Sequence, residues 1–281
     1  MPRRRFIQAD VFSSDPTLGN GLAVVVDGEG LSDAQMQAFA AWTNLAETTF
    51  LFPPTDPTAD YRVRIFTPGR EMLFAGHPTL GSCAAWQHVG NIPASPNVVR
   101  QQCAIGIVEI DLNGAQRAFV SPPTTAASMP PQKRAELIAA MDITEAQVKN
   151  AIVLDNGPVW HLFELHSAQQ VLEVDESRVH WPDHQGLALF GAYPKGAACD
   201  FEARNIAPSS GMSEDPITGS LNAAIACWLL EQNRLPDTAI AAQGTKIGRT
   251  GRVHYRQDPA RPGQILIGGD VNILIEGTLD L

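Results

Sequence analysis

The sequence predicts an α+β protein built from two similar domains, and three observations carry that prediction. The chain has 281 residues, and at about 150 residues per domain that length makes two. A proline-dense segment, Ser121-Pro122-Pro123-Thr124 through Met129-Pro130-Pro131, lies near the middle. It is expected to continue neither a sheet nor a helix, and so marks the boundary between the halves. A short feature then occurs once on each side of it. Ile65-Phe66-Thr67-Pro68 precedes an Ala-rich helix running from Gly76 to Trp86; Asn205-Ile206-Ala207-Pro208 precedes another, opened by Thr218-Gly219-Ser220-Leu221 and ending at Trp228. Gly76 to Trp86 is ten positions and Gly219 to Trp228 is nine, so the strand–loop–glycine–helix unit is spaced alike in both halves.

In the first half, Phe6 to Phe12 reads as a strand, followed by turn residues at Asp15-Pro16 and Gly19-Asn20-Gly21. The basic cluster Arg3-Arg4-Arg5 is followed by an apolar stretch that Asp10 interrupts, which reads as strand rather than signal peptide. Leu22 to Val26 is a short apolar run suited to a buried strand. Ser32 and Gln35 form a capping box ahead of Met36, Phe39 and Ala40 at helical spacing. Asn44 ends that helix, Thr48 to Phe52 resumes as strand, and Glu47 sits on the junction. Tyr61, Val63 and Ile65 alternate with Arg62 and Arg64, the pattern of a half-buried strand. In the second half, a helix from Ala135 to Met141 precedes strands at Ala151–Leu154 and Val159–Leu165.

Composition narrows the function. Hydrophobic residues make up 44% and charged residues 18%, the balance of a folded soluble chain. The net charge of −10 and the absence of a basic block argue against a nucleic-acid or anionic-membrane partner. No apolar run reaches transmembrane length. Cys83, Cys103, Cys199 and Cys227 are scattered, as free thiols of a cytoplasmic protein would be.

Two places could carry chemistry. A glycine-led helix start brings backbone N–H groups close to a ligand at the positive end of the helix, and binds carboxylate or phosphate without lysine. Two such starts in matching positions are expected to clamp an anionic substrate in a cleft between the halves. Glu47 lies in the largely apolar stretch Asn44-Leu45-Ala46-Glu47-Thr48-Thr49-Phe50. It is read either as a solvated helix-end carboxylate or as a partly buried one, whose pKa desolvation raises from about 4.3 toward the range useful to a general acid/base. Asp215 is either an ordinary loop residue or a second carboxyl facing Glu47, which would push the two pKa values apart. His161, His166, His180 and His184 lack metal-site spacing and read as satisfied or solvated. Nucleotide-cradle and nucleophile-elbow motifs are absent. Trp42, Trp86, Trp160, Trp181 and Trp228 are expected to pack in cores.

Taken in order, Asp10-Val11-Phe12 with Gly19 to Val25, Glu47-Thr48-Thr49-Phe50, Arg64 to Pro68, Phe74 to Thr79, and Glu214 to Ser220 resemble the PhzF-like (phenazine-biosynthesis-like) family. Gln243-Gly244 through Ile247-Gly248-Arg249 and the Asn156-Gly157-Pro158 turn fit as well. The resemblance implies a diaminopimelate-epimerase-like fold, with each domain a β-barrel-like sheet around a central helix. It also implies that the C-terminal strand, about 268–281, returns to an N-terminal domain of residues 1–120, with residues 121–267 forming the other domain.

The family further implies roles. Glu47 is the proton shuttle, and His77, Asp215 and Ser220 complete the catalytic set. Asn20, Gly76, Thr218 and Gly219 bind an acidic substrate. No cysteine falls at the paired thiol positions of the related two-cysteine epimerases. Ala46 stands where the family commonly has Ser, Gly21 where it has Pro, and Met72-Leu73 where it has Leu-Pro. The resulting expectation is a cofactor-independent isomerase moving a proton on a small carboxylate, with no metal and a possible homodimer. The alternatives are an amino-acid epimerase and a non-catalytic metabolite binder on the same fold.

Overall fold

The computed structural model describes residues 2–208 and 212–281. Contacts divide the chain into two units, Met1–Val120 with Gly268–Leu281, and Ser121–Ile267. The first unit contains β1 (Arg3–Val11), β2 (Asn20–Val25), α1 (Asp33–Thr43), β3 (Glu47–Phe52), β4 (Tyr61–Phe66), β5 (Glu71–Met72), α2 (Gly76–His88), β6 (Val98–Cys103), β7 (Gly106–Asp111) and β8 (Arg117–Val120). β1 pairs antiparallel with β2, and β2 runs parallel to β3 with α1 as the crossover. β4 is antiparallel to β3 and β5 and parallel to β6, with α2 as the second crossover. The last strand of the chain, Val271–Asp280, lies antiparallel along β1 with Arg3 opposite Asp280.

Local sequence explains both helices. Ser32 and Gln35 form the capping box, and α1 ends at Asn44 in the left-handed region, φ 54°. Its Met36 and Ala40 pack on Val25, Phe50 and Phe66. α2 is buried all round from Gly76 to Trp86. That requires small residues where strands press close: a Cβ on Gly81 would meet Leu22 Cδ2 at 2.5 Å. A helix without a polar face is one the sheet surrounds.

The second unit contains β9 (Thr125–Ser128), α3 (Pro131–Met141), β10 (Val148–Asp155), β11 (Val159–Leu165), α4 (Ala168–Glu173), β12 (Leu187–Ala192), β13 (Phe201–Ile206), β14 (Glu214–Asp215), α5 (Gly219–Glu231), β15 (Thr238–Gln243) and β16 (Gly251–Gln257). Its pairing order repeats the first. β10 is antiparallel to β11, β11 parallel to β12 across α4, β12 antiparallel to β13, and β13 parallel to β15 across α5. α5 is buried on nearly every side, as α2 is. The α+β class and the sheet around a central helix are present in each unit.

Some details differ from the sequence reading. The proline-dense segment does continue structure: Thr125–Ser128 pairs with β10 as an exposed edge, and Pro131 opens α3 four residues before the expected Ala135. Proline is tolerated in the first helical turn because the N–H it lacks has no partner there. Trp42 and Trp181 are not core residues; Trp42 is 79% exposed and stacks on Phe39, and Trp181 is 40% exposed. No helix among the described residues is long and apolar enough to cross a membrane.

Candidate active site

In the first unit, the parallel register of Leu22 with Glu47 brings the starts of β2 and β3 to one end of the sheet. α2 begins against that end. Asn20 is buried at the first position of β2, Glu47 opens β3, and Gly76 and His77 open the helix. The side chains converge on the imidazole: Asn20 Nδ2 lies 3.3 Å from His77 Nδ1, and His77 Nε2 lies 3.3 Å from Glu47 Oε2. Burial pushes the His77 pKa down to about 3, so the ring is neutral at ordinary pH. With the Asn20 amide donating to Nδ1, the single ring proton resides on Nε2, beside the carboxylate. His77 thus faces Glu47 as a neutral ring, with its N–H on the side of the carboxylate.

The Glu47 side chain is 15% exposed, which leaves it a route to solvent or ligand while Oε2 is shielded. The N-cap, Ala75, offers no side chain to the first turn of α2, and Pro78 has no N–H. The amides of Gly76 and His77 remain as donors at the positive end of the helix, a place suited to a carboxylate.

In the second unit, α5 begins at Gly219 without a side-chain cap at Thr218. Thr218 Oγ1 donates to Asp215 Oδ2. Asn205 Nδ2 and Gln243 Nε2 donate to Thr218 Oγ1 at 3.1 and 3.0 Å. Ser220 is buried, and its carbonyl accepts from Asn156 Nδ2 at 2.8 Å, so the Asn156-Gly157-Pro158 turn pins the first turn of α5. The strand carrying Asp215 is anchored next door. Arg204, fully buried, donates to Glu214 from Nε, to both carboxylate oxygens, and from Nη2, and also to Glu176 and to the carbonyls of Val171 and Val174. Burial opposes the Arg204 charge, but Glu214 and Glu176 outweigh it and raise the pKa above the ordinary guanidinium value.

The structure thus gathers Asn20, Glu47, Gly76 and His77 in one unit, and Asp215, Thr218, Gly219 and Ser220 in the other. Asn20, expected to bind substrate, lies beside the His77 ring. Asn205, Asn222, Gln243 and Tyr255 support the start of α5 without a site signal in the sequence; Asn205 and Gln243 stand there only as parts of motifs. The four cysteines are free and none lies at a helix start. Burial pushes the Cys83 thiol up to about 12, far from a reactive thiolate. Among the described residues no cluster of three or more His, Cys, Asp or Glu is placed to hold a metal ion.

Residues 9–277 match the model of the PhzC-PhzF family, described as phenazine biosynthesis-like protein. The chain belongs to that family. Over 295 aligned residues it is 33% identical to antisense-enhancing sequence 1 of Schizosaccharomyces pombe, covering 99% of each. It is 30% identical over 288 residues to trans-2,3-dihydro-3-hydroxyanthranilate isomerase of Pseudomonas aeruginosa, covering 97% of this chain and 98% of that one. A PhzF-family protein of Bacillus anthracis shares the fold, with a TM-score of 0.82, 20% identity and complete coverage of both chains. With named isomerases aligned along almost its whole length, this member of the family is an isomerase.

Proposed function

We propose that this isomerase moves a proton between carbons of a small carboxylate-bearing substrate, with Glu47 as acid/base and no cofactor. The observation that carries the reading is Glu47 Oε2 held 3.3 Å from the Nε2 of a neutral, buried His77 at the start of α2. A neutral ring beside a carboxylate brings no positive charge that would hold it ionised, so the carboxylate can take a proton as a base must. Glu47 takes a proton from carbon, and the C–H electron pair delocalises into the conjugated system of the substrate. The Gly76 and His77 amides stabilise the charge gathering on the substrate carboxylate. The Glu47 carboxylic acid then returns the proton to another carbon, so no atom is gained or lost. In the same reading, Gly219 and Ser220 bind substrate and Asp215 orients it. The relative named for trans-2,3-dihydro-3-hydroxyanthranilate acts on a small cyclic carboxylate, and that class is the one assigned here.

The test is a panel of cyclic and linear unsaturated carboxylates incubated with the protein in D₂O and followed by NMR. Loss of a carbon-bound proton signal in at least one member is expected. A panel that includes the substrate of the Pseudomonas relative and shows no exchange in any member, with a folded protein, would overturn the proposal.

A further inference from the structure

We infer that Gln243 is a positioning residue that forces the Thr218 hydroxyl to donate to Asp215, so that Thr218 serves Asp215 and does not itself contact substrate. The inference rests on the reading of Asp215 as a site residue and deepens it. The amide orientation of Gln243 is fixed by partners that can act in only one sense. Thr218 N–H donates to Gln243 Oε1 at 3.0 Å, so that end of the amide is the oxygen. Asn222 Nδ2 donates to the same oxygen at 2.8 Å and to the Thr218 carbonyl at 2.9 Å, and a carbonyl can only accept. Tyr255 OH closes the set on Asn222 Oδ1 at 2.6 Å. Gln243 Nε2 is then necessarily a donor, and it reaches Thr218 Oγ1 at 3.0 Å and the Asp215 carbonyl at 3.2 Å.

A hydroxyl has one proton and two acceptor lone pairs. Gln243 Nε2 occupies one lone pair of Thr218 and Asn205 Nδ2 the other, so the single O–H is left for Asp215 Oδ2, which sits within short hydrogen-bond range. Gln243 and Asn222 are fully buried, and Thr218 and Asp215 are 8% exposed, so water does not compete for these positions. A close approach completes the support: Gly244, at φ +84°, lies where a Cβ would meet the Pro216 carbonyl oxygen at 2.6 Å, so the chain after Gln243 presses directly on the loop that carries Asp215.

The experiment uses the full chain and a substrate found in the exchange panel. Thr218→Val, which keeps the shape and removes the donor, should lower kcat about tenfold with little change in KM, the size of one oriented hydrogen bond. Thr218→Ser should recover most of that loss. Gln243→Met should lower kcat in the wild-type background and lower it clearly less in the Thr218→Val background, because part of its effect passes through that hydroxyl. A raised KM with unchanged kcat in Thr218→Val would overturn the inference, since it would place the hydroxyl on the substrate. Additive losses in the double variant would overturn it too. A readout independent of activity separates the inference from the reading beneath it. The Thr218 hydroxyl proton should exchange slowly enough to be seen by NMR in the wild type and be lost from the spectrum in Gln243→Met. If Asp215→Asn turns over like wild type, the role of Asp215 fails while that signal still reports on Thr218. If Gln243→Met leaves the signal in place, the positioning role fails instead.

Discussion

The two units use one backbone plan with different side chains at the helix start, seen best by setting α2 beside α5. Each is a helix of 13 residues that begins on glycine, lacks a side-chain cap and is wrapped by strands in the same order of pairing. The second and fourth positions differ. α2 has His77 and Thr79, and α5 has Ser220 and Asn222. In the first unit a neutral ring meets a partly exposed carboxylate; in the second a carboxylate is bonded by a hydroxyl inside a buried amide network. The repeated backbone presents a helix start without a side-chain cap twice, and side-chain choice within the first turn gives each copy its own surroundings.

If Glu47 is the base, the largest effect of any substitution falls in the first unit. Glu47→Gln keeps size and hydrogen bonding but cannot accept a proton, and should cost about 10²–10⁴-fold in turnover. Substrate affinity should change little. Measuring kcat and KM for this variant decides whether the chemistry belongs to the first unit; wild-type turnover would move the base elsewhere.

Next in size is a pH effect on stability at His77. Its folded pKa, about 3, lies below the unfolded value of about 6.5, because burial disfavours the charged ring. The neutral ring therefore contributes stability fully present above about pH 6.5 and lost as pH falls toward 3, on the order of 5 kcal/mol at most. Urea midpoints for the wild type should fall over that window, and His77→Asn should flatten the slope. Ser220 has no such group, so Ser220→Ala should leave the slope unchanged. An equal slope in the wild type and His77→Asn would mean that the ring is not held neutral.

A smaller effect is expected at Asp215. If Asp215 orients and does not transfer the proton, Asp215→Asn should slow turnover about tenfold, since the amide still accepts from Thr218. A loss as large as that of Glu47→Gln would erase the division of labour between the units.

Much of this was legible in the sequence because it is local. The Ser32–Gln35 box, the Asn44 stop, the alternation of Tyr61 to Ile65 and the glycine-led helices all depend on residues a few positions apart. Glu47 stood out because its neighbours are apolar, and the structure gives it a shielded oxygen at the start of β3. The supporting network was not legible. Gln243 reaches Thr218 across 25 positions and Asn205 reaches it across 13, and side-chain hydrogen bonds of that kind leave no period to read. The contact of Asn20 with His77 escaped the sequence for the same reason, 57 positions of separation. At Pro131 the sequence misled for a different reason: proline breaks a helix interior and favours a helix start, and only pairing decides which.

The smallest effect compares two tyrosines that end the polar chains beneath the two helices. Tyr61 OH donates to Gln101 Oε1 at 2.8 Å, Gln101 Nε2 donates to Thr79 Oγ1 at 3.0 Å, and Thr79 Oγ1 donates to the Ala75 carbonyl at 2.9 Å. That is a single file. Tyr255 OH donates to Asn222 Oδ1, but Asn222 is also held by its two bonds to Gln243 and Thr218, and Gln243 by several more. Replacing either tyrosine with Phe leaves a buried acceptor without its donor, at a cost of about 1–3 kcal/mol. Gln101, left with Thr79 Oγ1 and the Cys103 thiol, is held less firmly and can turn to relieve the loss; Asn222, braced on its other end by Gln243 and Thr218, cannot. Tyr255→Phe should therefore be the more destabilising by roughly 1 kcal/mol, and Tyr61→Phe the more damaging to turnover, because movement of Gln101 is transmitted through Thr79 to the first turn that carries His77. Thermal midpoints and kcat for the two variants give both orders at once. If Tyr61→Phe costs more stability and less activity than Tyr255→Phe, bracing is not what distinguishes the two helix starts, and the contrast between the units reduces to the side chains at their second positions.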